Sequence, residues 1–200
     1  MQDDRSVTIR AIAVLAVLIA GIAVVGSGPA FAVDPAEAAA AFRRDCDAGK
    51  AEACLHLGEL HAAGSGVPKD DARATALYER ACEGGNAVGC FNQGIQYSEG
   101  RGAPRDDARA LALMRRACEG GHLTACSNVG VMLSQGRGTA PDPETAAKYF
   151  YVACKAGDGV GCLNLGVAFR SGKGVPQDAG KSAQLMARAC KLGIQRACGQ

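Results

Sequence analysis

Ten cysteines and three histidines are the residues of this 200-residue chain with the most specific chemistry. Thiols at fixed spacing can form disulfides, bind a metal ion or exchange disulfides. The cysteines form five C-x7-C pairs that repeat every 36 residues, namely Cys46/Cys54, Cys82/Cys90, Cys118/Cys126, Cys154/Cys162 and Cys190/Cys198. A redox C-x-x-C motif is absent, and structural zinc favours cysteines two to four residues apart. We therefore expect disulfides, with no metal ion and no other cofactor.

Two schemes of disulfide pairing are compatible with this spacing. A Cys54–Cys82 bond would join two helices of one hairpin, whereas a Cys46–Cys54 bond would join consecutive hairpins. Counting favours the second scheme, because the first leaves Cys46 and Cys198 unpaired at opposite ends of the chain. Each short loop closed in this way would contribute roughly 2.5 kcal/mol of stability.

A second series of residues could bind a ligand. Two residues after the second cysteine of each complete unit, the chain places His56, Asn92, Asn128 and Asn164. A carboxamide carries a donor and an acceptor together, which suits the backbone of a peptide. The alternative is that these side chains satisfy loop backbone between adjacent repeats. The loops carry a further series, Ser65, Arg101, Arg137 and Lys173, which would form either a cationic edge for an anionic partner or a solvated surface.

The sequence offers little for catalysis. No serine stands three residues before a lysine, so the S-x-x-K motif of serine β-lactamases is absent. His56, His61 and His122 include no H-x-H pair, and His56 and His61 lie about 140° apart around a helix. Neither a serine hydrolase nor a zinc hydrolase is indicated.

The strict 36-residue period predicts an all-α repeat architecture. Each unit predicts a helix A, such as Ala51–Ala63, that ends at a G-x-G pair, and a helix B that begins after an aspartate such as Asp70. The recurrent mid-helix glycine, Gly58 in the first unit, suggests that a neighbouring helix approaches too closely for a Cβ. The units are 46–81, 82–117, 118–153 and 154–189, with a partial unit 190–200 that would begin another helix A. Residues 33–45 are predicted to be a lone helix B that caps the N-terminal end.

The first 32 residues have the pattern of a signal peptide. Arg5 and Arg10 precede an apolar run that ends near Val25, and Ala30-Phe31-Ala32 supplies a cleavage pattern. The apolar run is shorter than a membrane span, which needs about 20 residues. The cysteine content agrees with export to an oxidising compartment, so we expect a periplasmic or secreted protein. The net charge of +2 does not favour a nucleic-acid partner.

The repeat units resemble a known family. The unit CEGGNAVGCFNQGIQYSEGRGAPRDDARALALMRRA, residues 82–117, is similar to Sel1-like repeats, which are related to tetratricopeptide repeats, and the C-x7-C pairs resemble those of Hcp-type secreted cysteine-rich proteins. The resemblance spans about 34–200. The third unit departs from the pattern at residues 139–143, where the proline is shifted by one position.

The resemblance implies a right-handed α-solenoid of antiparallel helix hairpins, with helices A lining a concave groove. It implies a non-catalytic scaffold whose partner is a protein, a peptide or a cell-wall fragment related to peptidoglycan. In tetratricopeptide relatives, asparagines on this face hold peptides, which implies a groove at His56, Asn92, Asn128 and Asn164. Other members imply two alternatives: a β-lactam-binding protein or β-lactamase, and an assembly factor that handles haem or a metal.

Overall fold

The chain is described from a computed structural model that covers residues 34–199. The predicted signal peptide lies outside these residues. The described part contains no strand and nine α-helices of 13 residues each: α1 Pro35–Asp47, α2 Ala51–Ala63, α3 Asp71–Glu83, α4 Ala87–Glu99, α5 Asp107–Glu119, α6 Leu123–Gln135, α7 Pro143–Lys155, α8 Gly159–Ser171 and α9 Ala179–Lys191.

Consecutive helices pack against one another along the whole described chain. The pairs α2/α3, α4/α5, α6/α7 and α8/α9 form hairpins of an A helix and a B helix, and each hairpin packs on the next. This arrangement confirms the predicted all-α solenoid, and α2 has the bounds predicted for the first helix A. The capping helix α1 continues two residues beyond the predicted Asp45, as far as Asp47.

Aspartates begin the B helices and glycines end the A helices. The side chain of an N-cap aspartate accepts hydrogen bonds from backbone N–H groups of the first turn, which have no partner within the helix. This cap is present at Asp70, Asp106, Asp142 and Asp178. The A helices end at residues in the left-handed conformation, Gly64, Gly100, Gly136 and Gly172. The shifted proline of the third unit leaves this register unchanged, because α7 still begins directly after Asp142.

The second glycine of each G-x-G pair lies against the backbone of the preceding repeat. A Cβ added to Gly102 would collide with the Asp71 carbonyl, at the start of the preceding helix B. The same relation holds for Gly66 with Pro35, Gly138 with Asp107 and Gly174 with Pro143. Only a residue without a side chain allows this approach, so the glycines set how closely consecutive repeats pack.

The mid-helix glycines lie against a neighbouring helix, as expected, and the nearest atoms there belong to a side chain. A Cβ at Gly58 would lie 2.7 Å from the Tyr78 ring, and the space beside Gly130 is filled by Phe150. Gly94 and Gly166 face Met114 and Met186 in the same way. The close neighbour is therefore a large side chain of the B helix in the same hairpin, which compensates for a core that otherwise consists largely of Ala, Leu and Cys.

Four of the five disulfides join the end of a B helix to the start of the next A helix, and the fifth joins the end of α9 to the C-terminal segment. The bonded pairs have the C-x7-C separation, and their Cα atoms are 4.4–5.0 Å apart: Cys46–Cys54, Cys82–Cys90, Cys118–Cys126, Cys154–Cys162 and Cys190–Cys198. The described residues contain no free cysteine. The bonds thus connect consecutive hairpins rather than the two helices of one hairpin.

The partial last unit does not form the expected start of a helix A. Residues Gln195–Ala197 form a 3₁₀ turn instead, which the Cys190–Cys198 bond ties to α9. A single turn fixes several backbone dihedrals for very few hydrogen bonds, which makes a short isolated α-helix unfavourable.

Alanine substitutions at two glycines would distinguish the contribution of inter-repeat contact to stability from the contribution of backbone conformation. Gly102 and Gly121 both have positive φ, at +67° and +90°, but only Gly102 has a neighbour within 4 Å of the added Cβ. We expect Gly121→Ala to destabilise the protein by about 1 kcal/mol, and Gly102→Ala by at least about 3 kcal/mol. Thermal unfolding followed by circular dichroism measures both. Equal losses for the two variants would contradict the inter-repeat role.

Candidate ligand-binding face

Each A helix has one partly exposed stripe along its length. In α4 the stripe consists of Val88, Asn92 and Ile95, in α6 of Thr124, Asn128 and Val131, and in α8 of Val160, Asn164 and Val167. Residues four and three apart lie on one face of a helix, so each asparagine is flanked along the axis by two of these side chains. The exposed fractions of Val88 and Val167 reach 37% and 38%. The stripe therefore combines carboxamides with accessible apolar surface.

The three asparagines have no hydrogen-bond partner within residues 34–199. The contacts of this range include no side-chain bond from Asn92, Asn128 or Asn164 to the inter-repeat loops. At the start of α4, the N–H of Gly89 bonds the side chain of the N-cap Asn86 at 2.9 Å and not that of Asn92. The asparagine side chains thus make no hydrogen bond to the backbone of the neighbouring loops, contrary to the alternative interpretation. Their carboxamides are partly exposed to solvent.

The first unit presents different chemistry at the same position. His56 Nδ1 lies 3.0 Å from Glu59 Oε2, His56 Nε2 lies 3.9 Å from Glu52 Oε1, and the ring packs against Phe42 at a centroid distance of 5.2 Å. The hydrogen bond to Glu59 raises the pKa of His56, and partial burial opposes this effect only in part. His56 therefore has partners on its own helix and on α1, and in this it differs from the asparagines of the other units.

The other two histidines serve the fold. His61 is buried, and its Nδ1 is 3.3 Å from the Pro68 carbonyl oxygen, to which it donates. His122 caps α6 by accepting from the Ala125 N–H at 3.2 Å and stacks on Phe91 at 4.1 Å. Burial lowers the pKa of His122. The three imidazoles are thus in three separate environments.

The basic loop series does not form one continuous cationic edge. Arg137 is half-buried and bonds Asp107 of the preceding repeat at 2.7 Å, and Arg101 pairs with Glu99 at 2.6 Å. The Arg137 and Arg105 hydrogen bonds lower the pKa of Asp107. Arg137 therefore joins two repeats, a role that the sequence pattern did not reveal.

The described residues 34–199 contain no cluster of metal-binding side chains. No group of three or more His, Cys, Asp or Glu side chains in this range could hold a metal ion. The same range contains no helix of the length and apolarity required to cross a membrane. No observation there favours the β-lactam-hydrolysing or the haem-handling alternative.

Ser127 and Gln93 are among the buried polar residues that the sequence pattern did not reveal. Ser127 is 1% exposed and donates to Asp158 Oδ2 of the next repeat at 3.0 Å, so that it links α6 to the N-terminus of α8. Gln93 is 4% exposed at a position where the other units have Leu57, Val129 and Leu165. A comparison of equivalent positions between units would have identified both.

The family model of the Sel1 repeat matches four consecutive segments of the chain. The matched residues are 51–86, 87–122, 123–158 and 159–194, so each match begins at the start of an A helix. A comparison with curated proteins found no match.

Several solved structures are similar to the chain. A protective antigen of uropathogenic Escherichia coli with an SLR fold is 29% identical, with a TM-score of 0.80. The match covers 82% of this chain and 35% of the antigen chain. A Sel1 repeat protein of Oxalobacter formigenes is 28% identical over 80% of this chain and 63% of its own, with a TM-score of 0.74. The cysteine-rich protein B of Helicobacter pylori is 30% identical over 66% of this chain and 94% of its own, with a TM-score of 0.53. The chain thus spans about a third of the length of the Escherichia coli antigen and under two thirds of the length of the Oxalobacter formigenes protein.

The His56 environment yields a prediction for pH. Because its pKa is raised, the stabilising contribution of His56 is complete below the unfolded value of 6.5 and is lost as the pH rises through the folded pKa. We expect Glu59→Gln to lower the pKa of His56, as followed by NMR titration of the imidazole signals. His122, which has no contact with Glu59, serves as the internal control. A His56 pKa unchanged by the substitution would contradict the assigned hydrogen bond.

Proposed function

The chain belongs to the Sel1 repeat family, and on this basis we propose that it is a non-catalytic scaffold that binds an extended peptide segment of a partner protein along its A helices. Repeat solenoids present extended concave surfaces of this kind, on which each unit contributes equivalent side chains. The observation that carries the proposal is the row of Asn92, Asn128 and Asn164, whose carboxamides are partly exposed and have no partner within residues 34–199.

The chemistry of the stripe fits a peptide in extended conformation. A peptide offers one N–H and one C=O per residue, and a carboxamide can accept from the first and donate to the second. Packed helices lie about 8–10 Å apart and an extended chain advances about 3.3 Å per residue. Successive asparagines would therefore meet the bound segment at intervals of about two to three residues.

The apolar side chains beside the asparagines would supply the remaining contact. Val88 and Ile95 flank Asn92, and Val160 and Val167 flank Asn164. Apolar burial contributes about 25 cal/mol per Å², so even shallow contacts with apolar side chains of the partner would stabilise the complex. The scaffold would thus prefer extended segments that carry apolar side chains and whose backbone N–H and C=O groups are accessible to the asparagines.

The disulfides support an oxidising location for this function. Such bonds form and persist outside the cytosol, and the described chain contains five of them. We propose that the protein acts in the periplasm or after secretion, which agrees with the signal-peptide pattern of residues 1–32.

The asparagine row can be tested with the oxidised full chain. Peptides selected from a random display library would be titrated against the parent protein and against an Asn128→Ala/Asn164→Ala variant by fluorescence anisotropy. We expect the loss of two neutral hydrogen bonds to weaken binding about tenfold or more. The helical circular dichroism signal should remain unchanged, because neither side chain has a partner in the fold.

Gln184→Ala is the matched control, since Gln184 is an exposed carboxamide on helix B α9 and lies outside the stripe. This variant should bind as the parent does. Selected peptides that bind the double variant and the parent equally well would overturn the proposed site. Turnover of a chromogenic cephalosporin that scales with protein concentration would contradict the non-catalytic assignment.

A further inference from the structure

A polar cleft lies on the B-helix side of the second repeat. It has a volume of about 440 Å³, against about 220 Å³ for the equivalent cleft one repeat earlier. Helices α3 and α5 form its walls and α4 forms its floor. Its polar side chains are Glu79 and Glu83 from α3, Gln93 and Tyr97 from α4, and Arg109 and Arg116 from α5.

Gln93 distinguishes this cleft from the equivalent position in every other unit. Its side chain is 4% exposed, lines the cleft and has no hydrogen-bond partner within residues 34–199. The Gln93 amide atoms are not fully enclosed, yet a polar group this deeply buried stabilises the fold less than a packed apolar side chain would. The other units have Leu57, Val129 and Leu165 at this position, so the fold itself does not require a polar group there.

The acidic wall of the cleft carries two exposed carboxylates, of which Glu79 interacts electrostatically with Arg109 of the opposite wall. Glu79 and Glu83 make no hydrogen bond or ion pair within the described residues, whereas both arginines of the opposite wall have partners. Arg116 donates to the Cys82 carbonyl at 2.8 Å, and Arg109 pairs with Asp106 at 3.2 Å and lies over the Tyr97 ring. A guanidinium has five N–H donors, so each arginine retains donors for an anionic group.

We propose that this cleft binds a small zwitterion, an amino acid or a dipeptide with free termini. Its ammonium would lie against Glu79 and Glu83, its carboxylate against Arg109 and Arg116, and an amide or polar side chain would bond Gln93. The volume falls within the range of about 300–1,000 Å³ that is typical of small-molecule sites. This site is separate from the asparagine stripe, because it opens between B helices and Asn92 does not line it.

The equivalent cleft of the preceding repeat is a built-in comparison. Its residues Arg43, Arg73 and Arg80 are basic, its only acidic side chain is Asp47, and its floor has Leu57 in place of the amide. Asp47 is already paired with Arg80 at 3.2 Å. This earlier cleft has neither a pair of carboxylates on one wall nor a carboxamide at its floor, so it does not have the features of a zwitterion site.

The test is NMR titration of the ¹⁵N-labelled oxidised protein with L-alanyl-L-alanine. We expect saturable chemical-shift changes of the amides around Gln93, Tyr97 and Arg116. Dipeptide concentrations up to about 10 mM would reveal dissociation constants of the order of 1 mM. N-acetylated and C-amidated dipeptides, each of which lacks one charge, should bind at least about tenfold more weakly. Equal binding of a capped dipeptide would overturn the zwitterion assignment, and no saturable shift would overturn the site.

The matched variant is Gln93→Leu, which introduces the residue found at positions 57 and 165 and should therefore fold. We expect it to weaken dipeptide binding about tenfold, and Glu79→Arg, which reproduces Arg43 of the preceding cleft, to abolish it. Neither change should alter peptide capture by the asparagine stripe, and Asn128→Ala/Asn164→Ala should leave dipeptide binding intact. Dipeptide binding that Gln93→Leu leaves unchanged would overturn the proposal.

Discussion

The disulfide that joins each B helix to the next A helix is the constraint on which the architecture depends. A solenoid repeat buries its apolar face only against its neighbours, so stability rests on the interfaces between repeats. In this chain many of the buried core residues are Ala or Cys, each of which buries little apolar area. A covalent link at each junction, such as Cys82–Cys90, limits how far the unfolded chain can separate consecutive hairpins.

The glycine contacts and the arginine bonds fix how repeats stack once the junctions are closed. Gly102 allows its loop to reach the backbone of α3, and Arg116 reaches the Cys82 carbonyl at 2.8 Å from the neighbouring B helix. Arg80 makes the same bond to the Cys46 carbonyl at 2.7 Å. The equivalent residue in the third unit is Val152, which is 49% exposed. That junction therefore lacks the arginine bond and has apolar surface in its place.

The periodic features were predictable from the sequence, whereas the contacts between repeats were not. The aspartate caps and the G-x-G ends are local signals, and they gave helix bounds such as Ala51–Ala63 correctly. The role of Gly58 required knowledge of the partner, since only packing shows that the Tyr78 ring fills the space. The pairing of Arg137 with Asp107 joins residues 30 positions apart, and no local pattern indicates it. The asparagine row was found by its period, but its lack of intramolecular partners became apparent only from the structure.

In a repeat protein, departures from the period indicate positions where the fold does not dictate the residue. Every unit must supply a helix cap, a tight glycine turn and a disulfide, and these positions recur without exception in the complete units. The floor of the B-helix cleft needs only a side chain that fills space, which Leu57, Val129 and Leu165 do. Gln93 adds a buried amide at that position without any compensating bond within residues 34–199, so folding alone gives no reason for it. This departure places a largely buried amide beside a cleft, and a bound polar ligand would give that amide a partner.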